Sequence, residues 1–180
     1  MSMIPLPMRR NGRHPVPHFL ADEYLYRRVP DWMWENAADP LEVNAIELPD
    51  LSLGRSKFGH PEWVRLDPAS GNYFKEYGVI GFRVGDVPPE RWNLGSFRFT
   101  FKTVHVPEEM NYPHSEIQTF EDGKHVDLLE KLPEEIHLEW RELLLRKTVV
   151  FLKPHQGAKI RSNAPVSHIP ESPIPPETGF

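Results

Sequence analysis

"SFRFTFKTVHV", residues 96–106, decides the fold class of this chain. Phe97, Phe99 and Phe101 alternate with Arg98, Thr100 and Lys102, so apolar and polar side chains fall on opposite faces of an extended backbone. That period of two predicts a strand with one face in a core, and Thr103 and His105 continue on the phenylalanine side. Outward from it, "YLYRRV" (24–29) and "YGVIGFRV" (77–84) read as further strands. The two glycines of the second point to a bulge or a close backbone approach. "LEVNAIEL" (41–48) alternates well enough for another strand, and "SEIQTF" ends in a Glu121-Asp122-Gly123 turn.

The period changes near the end of the chain. From Pro133 onward, Ile136, Trp140, Leu143, Leu144 and Lys147 share one helical face, and Glu134 and Glu135 occupy the first turn. "TVVFL" (148–152) either extends this helix or forms a final strand. Links between the strands are too short or irregular for helical crossovers, which favours antiparallel pairing. The expectation is an α+β protein with a single, mainly antiparallel sheet packed against one long C-terminal helix. "DWMWENAADP" reads as a turn carrying Trp32 and Trp34, and "HPEWVRL" as a short helix with Pro61 in its first position.

Both ends have a different composition. The chain contains 20 prolines in 180 residues, about twice the usual share, and they crowd into residues 1–20 and 154–180. Proline-rich extended arms are therefore expected at both ends, around a body at residues 21–153. Apolar side chains such as Phe19 and Phe180 lie in these arms. Net charge is -5, with +3 on the first twenty residues, +1 on residues 153–180 and -9 on the middle. An acidic body argues against nucleic-acid binding through a broad basic face.

There is no cysteine, which removes disulfides, thiol nucleophiles and thiolate metal sites. No apolar run is long enough for a membrane span and the first twenty residues lack a signal-peptide core, so a soluble, cytoplasmic protein is expected. Phosphate-binding GxxxxGK[ST], GxGxxG and GxSxG are all missing. No cofactor or metal is implied.

Chemistry-bearing residues gather in "HVPEEMNYPHSEI", residues 105–117. His105 ends the phenylalanine strand, while His114 and Glu116 stand two apart on the next and project to one face. They are the candidate acid/base or metal-binding groups, with Arg27 and Arg55 as candidate phosphate contacts. Against this stands the plainer reading of a hydrogen-bonded histidine beside a solvated acidic rim. Arg27, Ser56 and Glu116 together resemble the arginine, serine and glutamate of ADP-ribosyltransferase-like, NAD-consuming folds, although the serine-threonine-serine strand of that pattern is missing. The order "LYRRV", "LSLGRSKFGHPE", "YGVIGFRV", "HVPEEMNYPHSEI", covering residues 25–117, also resembles small uncharacterised bacterial proteins. That resemblance implies no activity.

Two functions follow as expectations. The first is an interaction or assembly module, a homo-oligomer or the partner of another protein, using the proline-rich arms with Trp32, Trp34, Phe19 and Phe180. The second is a small nucleotide- or nucleic-acid-directed enzyme, toxin-like or a defence effector, using the His/Glu site.

Overall fold

A computed structural model describes residues 4–34, 41, 43–88 and 92–154. The alternating phenylalanines form strand β5 (Phe97–His105), hydrogen-bonded antiparallel to β6 (His114–Glu121) with Phe101 opposite Thr119 and His105 opposite Ser115. Phe99 and Phe101 are buried as their spacing requires, whereas Phe97, at the strand start, is half exposed. The remaining strands are β1 (Tyr24–Val29), β2 (Asp50–Arg55), β3 (Gly78–Arg83), β4 (Trp92–Leu94), β7 (Lys124–His125) and β8 (Val149–Leu152). They make one antiparallel sheet in the order β4-β5-β6-β2-β1-β3-β8, with the short β7 paired to β6 beside that path. The chain is therefore a mixed α+β protein with a single α-helix, α1 (Glu134–Leu145), among the described residues.

Helix α1 covers one face of the sheet. Ile136, Trp140 and Leu144 point inward, and the Trp140 ring stacks on Phe101 at 4.5 Å. Leu25, Val29, Leu51, Ile80 and Ile117 complete that core from the strands, and full burial of side chains this large contributes about 1.5–3 kcal/mol each. The expected helical face shifts at two positions. Arg141 is buried in the stripe, and Lys147 lies past the helix end, exposed.

The long C-terminal helix is corrected in two respects. It has 12 residues, three turns, and it is not the last element, because "VVFL" returns to the sheet as β8 against β3. β-branched and aromatic residues suit a pleated edge better than a fourth helical turn. "LEVNAIEL" is not a strand: Val43–Ala45 is a 3-10 turn, and Leu41, Ala45, Ile46 and Leu48 plug the core at irregular spacing that no ladder would produce. The strand lies just beyond, in β2, where Leu51, Leu53 and Arg55 point inward and Ser52 outward.

On the opposite face Tyr26, Val79 and Phe151 form a smaller cluster with Tyr24 and Val64. The 3-10 helix Pro61–Arg65 lies over it, with His60 as N-cap accepting from the Glu62 N–H and Pro61 in the first position. Both glycines of β3 mark close approaches. A Cβ on Gly78 would fall 2.1 Å from the Trp34 ring, and one on Gly81 would fall 2.7 Å from Phe151.

Residues 4–20 contain one 3-10 turn, Leu6–Met8, and otherwise run without regular structure against the body. Their backbone is tied down by Arg10 N–H to Glu109 O (2.7 Å) and Tyr112 N–H to Met8 O (2.6 Å). The arm expected at 154–180 lies, from residue 155 onward, outside the described residues. No helix among the described residues is long and apolar enough to cross a membrane.

Candidate functional site

Strand β1 is paired to β3 along all six residues but to β2 at only two positions, Leu25 with Arg55 and Tyr26 with Gly54. Past Tyr26 the two strands part, while β2 stays bonded to β6 from Asp50 to Gly54. The sheet thus opens into a wedge at its centre, and on the face away from α1 the wedge forms a cleft of about 280 Å³. Arg27, Arg28, Glu47, Ser52, His60, Trp63, Tyr77 and His114 line it, closed on one side by Met8, Asn111 and Pro113. This volume lies just below the usual range of ligand pockets, roughly 300–1,000 Å³.

Inside the cleft, His114 and Ser52 form a hydrogen-bonded pair. The His114 Nδ1–H donates to the Val106 carbonyl at 2.9 Å, because a carbonyl can only accept. In the neutral ring that leaves a lone pair on Nε2, and the Ser52 hydroxyl donates to it at 3.1 Å. The strand register produces this contact: Ser52 faces Glu116 and Gly54 faces His114 across β2 and β6, so alternate residues of both strands share the outer face. Glu116 Oε1 lies 3.9 Å from Nε2 and Glu108 Oε1 lies 3.9 Å from Nδ1, both too far for hydrogen bonds. Glu116 is held in place by the Gln118 amide, which donates to its other oxygen at 2.7 Å. The structure therefore brings His114 and Glu116 together, as the two-residue spacing predicts, and adds Ser52.

His105 stands elsewhere. Its Nδ1 accepts from the Val16 N–H at 2.8 Å and its Nε2–H donates to Tyr112 O at 2.7 Å, with Phe58 stacked on the ring. Burial holds its pKa below the ordinary histidine value, and Arg55 adds to the effect. Both nitrogens hydrogen-bond backbone groups, and through Val16 His105 tethers the N-terminal segment.

Arg55 is also held by contacts within the protein. Its guanidinium is fully buried and makes four hydrogen bonds: two to the Glu23 carboxylate (2.7 and 2.8 Å), one to Val16 O and one to His18 O (both 2.6 Å). Phe19 covers it at 3.8 Å. Four of its five N–H donors are committed within the protein. Arg27 is also engaged, through Nε to Ala45 O (2.5 Å), Nη1 to Ser52 O (3.3 Å) and an ion pair with Glu47 (2.9 Å), and it acts as the wedge that holds β1 and β2 apart. Ser56 accepts from the Tyr24 N–H at 3.0 Å and does not line the cleft.

The residues expected to serve interactions also divide. Trp32 is 55% exposed, but Trp34 has no exposed surface, its indole N–H donating to Val29 O, so the expectation of two presented tryptophans is corrected at Trp34. Phe19 packs half-buried against the core. Phe180 lies outside the described residues. Among the described residues, no group of three His, Asp or Glu side chains is placed to hold a metal.

Sequence reasoning missed Ser52 and Glu47, and noticed Arg28 without giving it a role in the site. The alternation of Leu51, Ser52 and Leu53 could have placed Ser52 on an outer face, but its pairing with His114 depends on a register that no local pattern encodes. Comparison with known proteins finds no matching family model, no matching curated protein and no matching solved structure, so the cleft must be read from its own geometry.

Proposed function

We propose that this chain is a small enzyme acting on a nucleotide bound in the β1–β2 cleft, with His114 as the general base and Ser52 as the hydroxyl it activates. One observation carries the reading: the Ser52 hydroxyl donates to His114 Nε2 at 3.1 Å while the other ring nitrogen is committed to a carbonyl. A nucleophile or proton donor within hydrogen-bond reach of a base, itself oriented by a third group, is the arrangement such chemistry needs. Glu116, 3.9 Å away, stabilises the imidazolium that forms when His114 takes the proton. Trp63 and Tyr77 supply ring surfaces for a base. Tyr26 is pushed up to about 12 by burial and stays a neutral phenol at any working pH.

The test is incubation of the full chain with NAD, the common nucleoside triphosphates and short oligonucleotides, with products resolved by chromatography. Ser52→Ala and His114→Gln should each lower turnover by about 10²-fold or more while leaving the circular dichroism spectrum unchanged. Undiminished turnover in both variants, or no nucleotide consumed by the parent chain, would sink the reading.

A second reading, assembly with another copy or a protein partner, draws on the exposed Trp32 and on Leu20, 63% exposed. The arms carry this reading, although the contacts of residues 4–20 are made with their own body. The native mass of the full chain beside one ending at residue 153 tests it, and equal masses with nothing bound count against it.

A further inference from the structure

Among the described residues lining the cleft, Glu47 is the one acid, against Arg27, Arg28 and Arg55, with Glu108 and Glu116 nearby at His114, although the chain as a whole carries -5. Two of those cations are neutralised in place, Arg27 by Glu47 and Arg55 by Glu23. Arg28 differs. Among the described residues it has no carboxylate within ion-pair distance, and its Nη1 is buried without a hydrogen-bond partner. Its guanidinium lies over the Phe74 ring at 4.8 Å and near the Tyr77 ring at 5.5 Å, which holds the planar fork in one orientation. Asp67 feels this charge, but its oxygens already accept from Ser70 and from the Ala69 N–H.

A cleft-lining guanidinium without a carboxylate partner among the described residues, in an acidic protein, points to an anionic ligand. Phosphate oxygens suit the fork geometry. The size of the cleft, about 280 Å³, and the negative charge of the surrounding chain oppose a polynucleotide.

We propose that Arg28 recognises the phosphate of a mononucleotide-sized ligand, with the cleft aromatics taking its ring. This inference rests on the nucleotide reading above and narrows it to small nucleotides. Binding of each common nucleoside 5′-monophosphate, of its own nucleoside and of a short single-stranded oligonucleotide is measured by calorimetry on the full chain, in the parent and in Arg28→Gln and Arg28→Lys. At least one monophosphate should bind about 10- to 100-fold more tightly than its nucleoside. That preference should fall to near one in Arg28→Gln and survive in part in Arg28→Lys, which keeps the charge without the fork. If Arg28→Gln fails to fold, the lysine variant decides: an undiminished preference overturns the proposal.

The proposal is also overturned if no monophosphate is preferred over its nucleoside, or if the oligonucleotide binds more tightly than any monophosphate. An Arg28-dependent phosphate preference without turnover of any nucleotide leaves this inference standing and removes the enzyme reading. Turnover without phosphate preference does the reverse.

Discussion

Replacing Arg55 with alanine tests the account of the N-terminal segment most directly. The substitution leaves the Glu23 carboxylate, 4% exposed, without its counter-charge, and orphans the Val16 and His18 carbonyls that Arg55 holds at 2.6 Å. Breaking a buried ion pair from one side costs about 3–5 kcal/mol, mostly because the remaining charge stays buried. A domain of this size has a total stability of about 5–15 kcal/mol, so Arg55→Ala should remain foldable but lose a large part of its margin. Urea unfolding followed by circular dichroism measures the loss, and hydrogen exchange should show the amides of residues 9–20 exchanging first. The same physics predicts that Glu23→Leu combined with Arg55→Met costs less than Arg55→Ala alone, because no unpaired charge is left. A loss below about 1 kcal/mol in Arg55→Ala, or a double variant as damaged as the sum of its parts, would refute the reasoning.

Two further outcomes follow from the packing. Gly78→Ala should destabilise by about 1–3 kcal/mol or more, since its Cβ would sit 2.1 Å from the Trp34 ring and neither backbone nor indole has room to move; a loss under about 0.5 kcal/mol in urea unfolding contradicts the close approach. His105 and His137 both have pKa values held below the ordinary histidine value, by burial first and then by Arg55 and Arg141 respectively. The unfolded chain therefore takes up protons before the folded one, and stability should be complete above about pH 6.5 and fall as pH drops from there through the lowered folded values. His105→Gln should flatten that fall in urea midpoints measured at several pH values, and an unchanged slope would show that His105 does not carry it.

The elements with a strong local period were legible. β5 announced itself through Phe99 and Phe101, β1 through "YLYRRV", and α1 through Ile136, Trp140 and Leu144. Misreadings fell where spacing was irregular. Leu41, Ala45, Ile46 and Leu48 are apolar because they plug the core, and a short window cannot tell that from a strand. The candidate site was half visible: the two-residue spacing of His114 and Glu116 placed them on one face, and they do meet. Ser52 was hidden because its importance comes from a partner 62 residues away, and the importance of Arg28 because it lacks a carboxylate partner among the described residues.

By itself the sequence determined the class of fold, the period and direction of its clearest elements, the acidic body and the exclusion of thiol chemistry, because these depend on local pattern and composition. Tertiary structure alone decided which cations are spent. Three arginines of similar local setting became a wedge (Arg27), a cleft cation without a carboxylate partner among the described residues (Arg28) and a buried pin (Arg55), according to which carboxylates and carbonyls the strand register brought within reach. It also decided where the sheet opens, since β1 leaves β2 after two pairs through contacts made by residues distant in the chain.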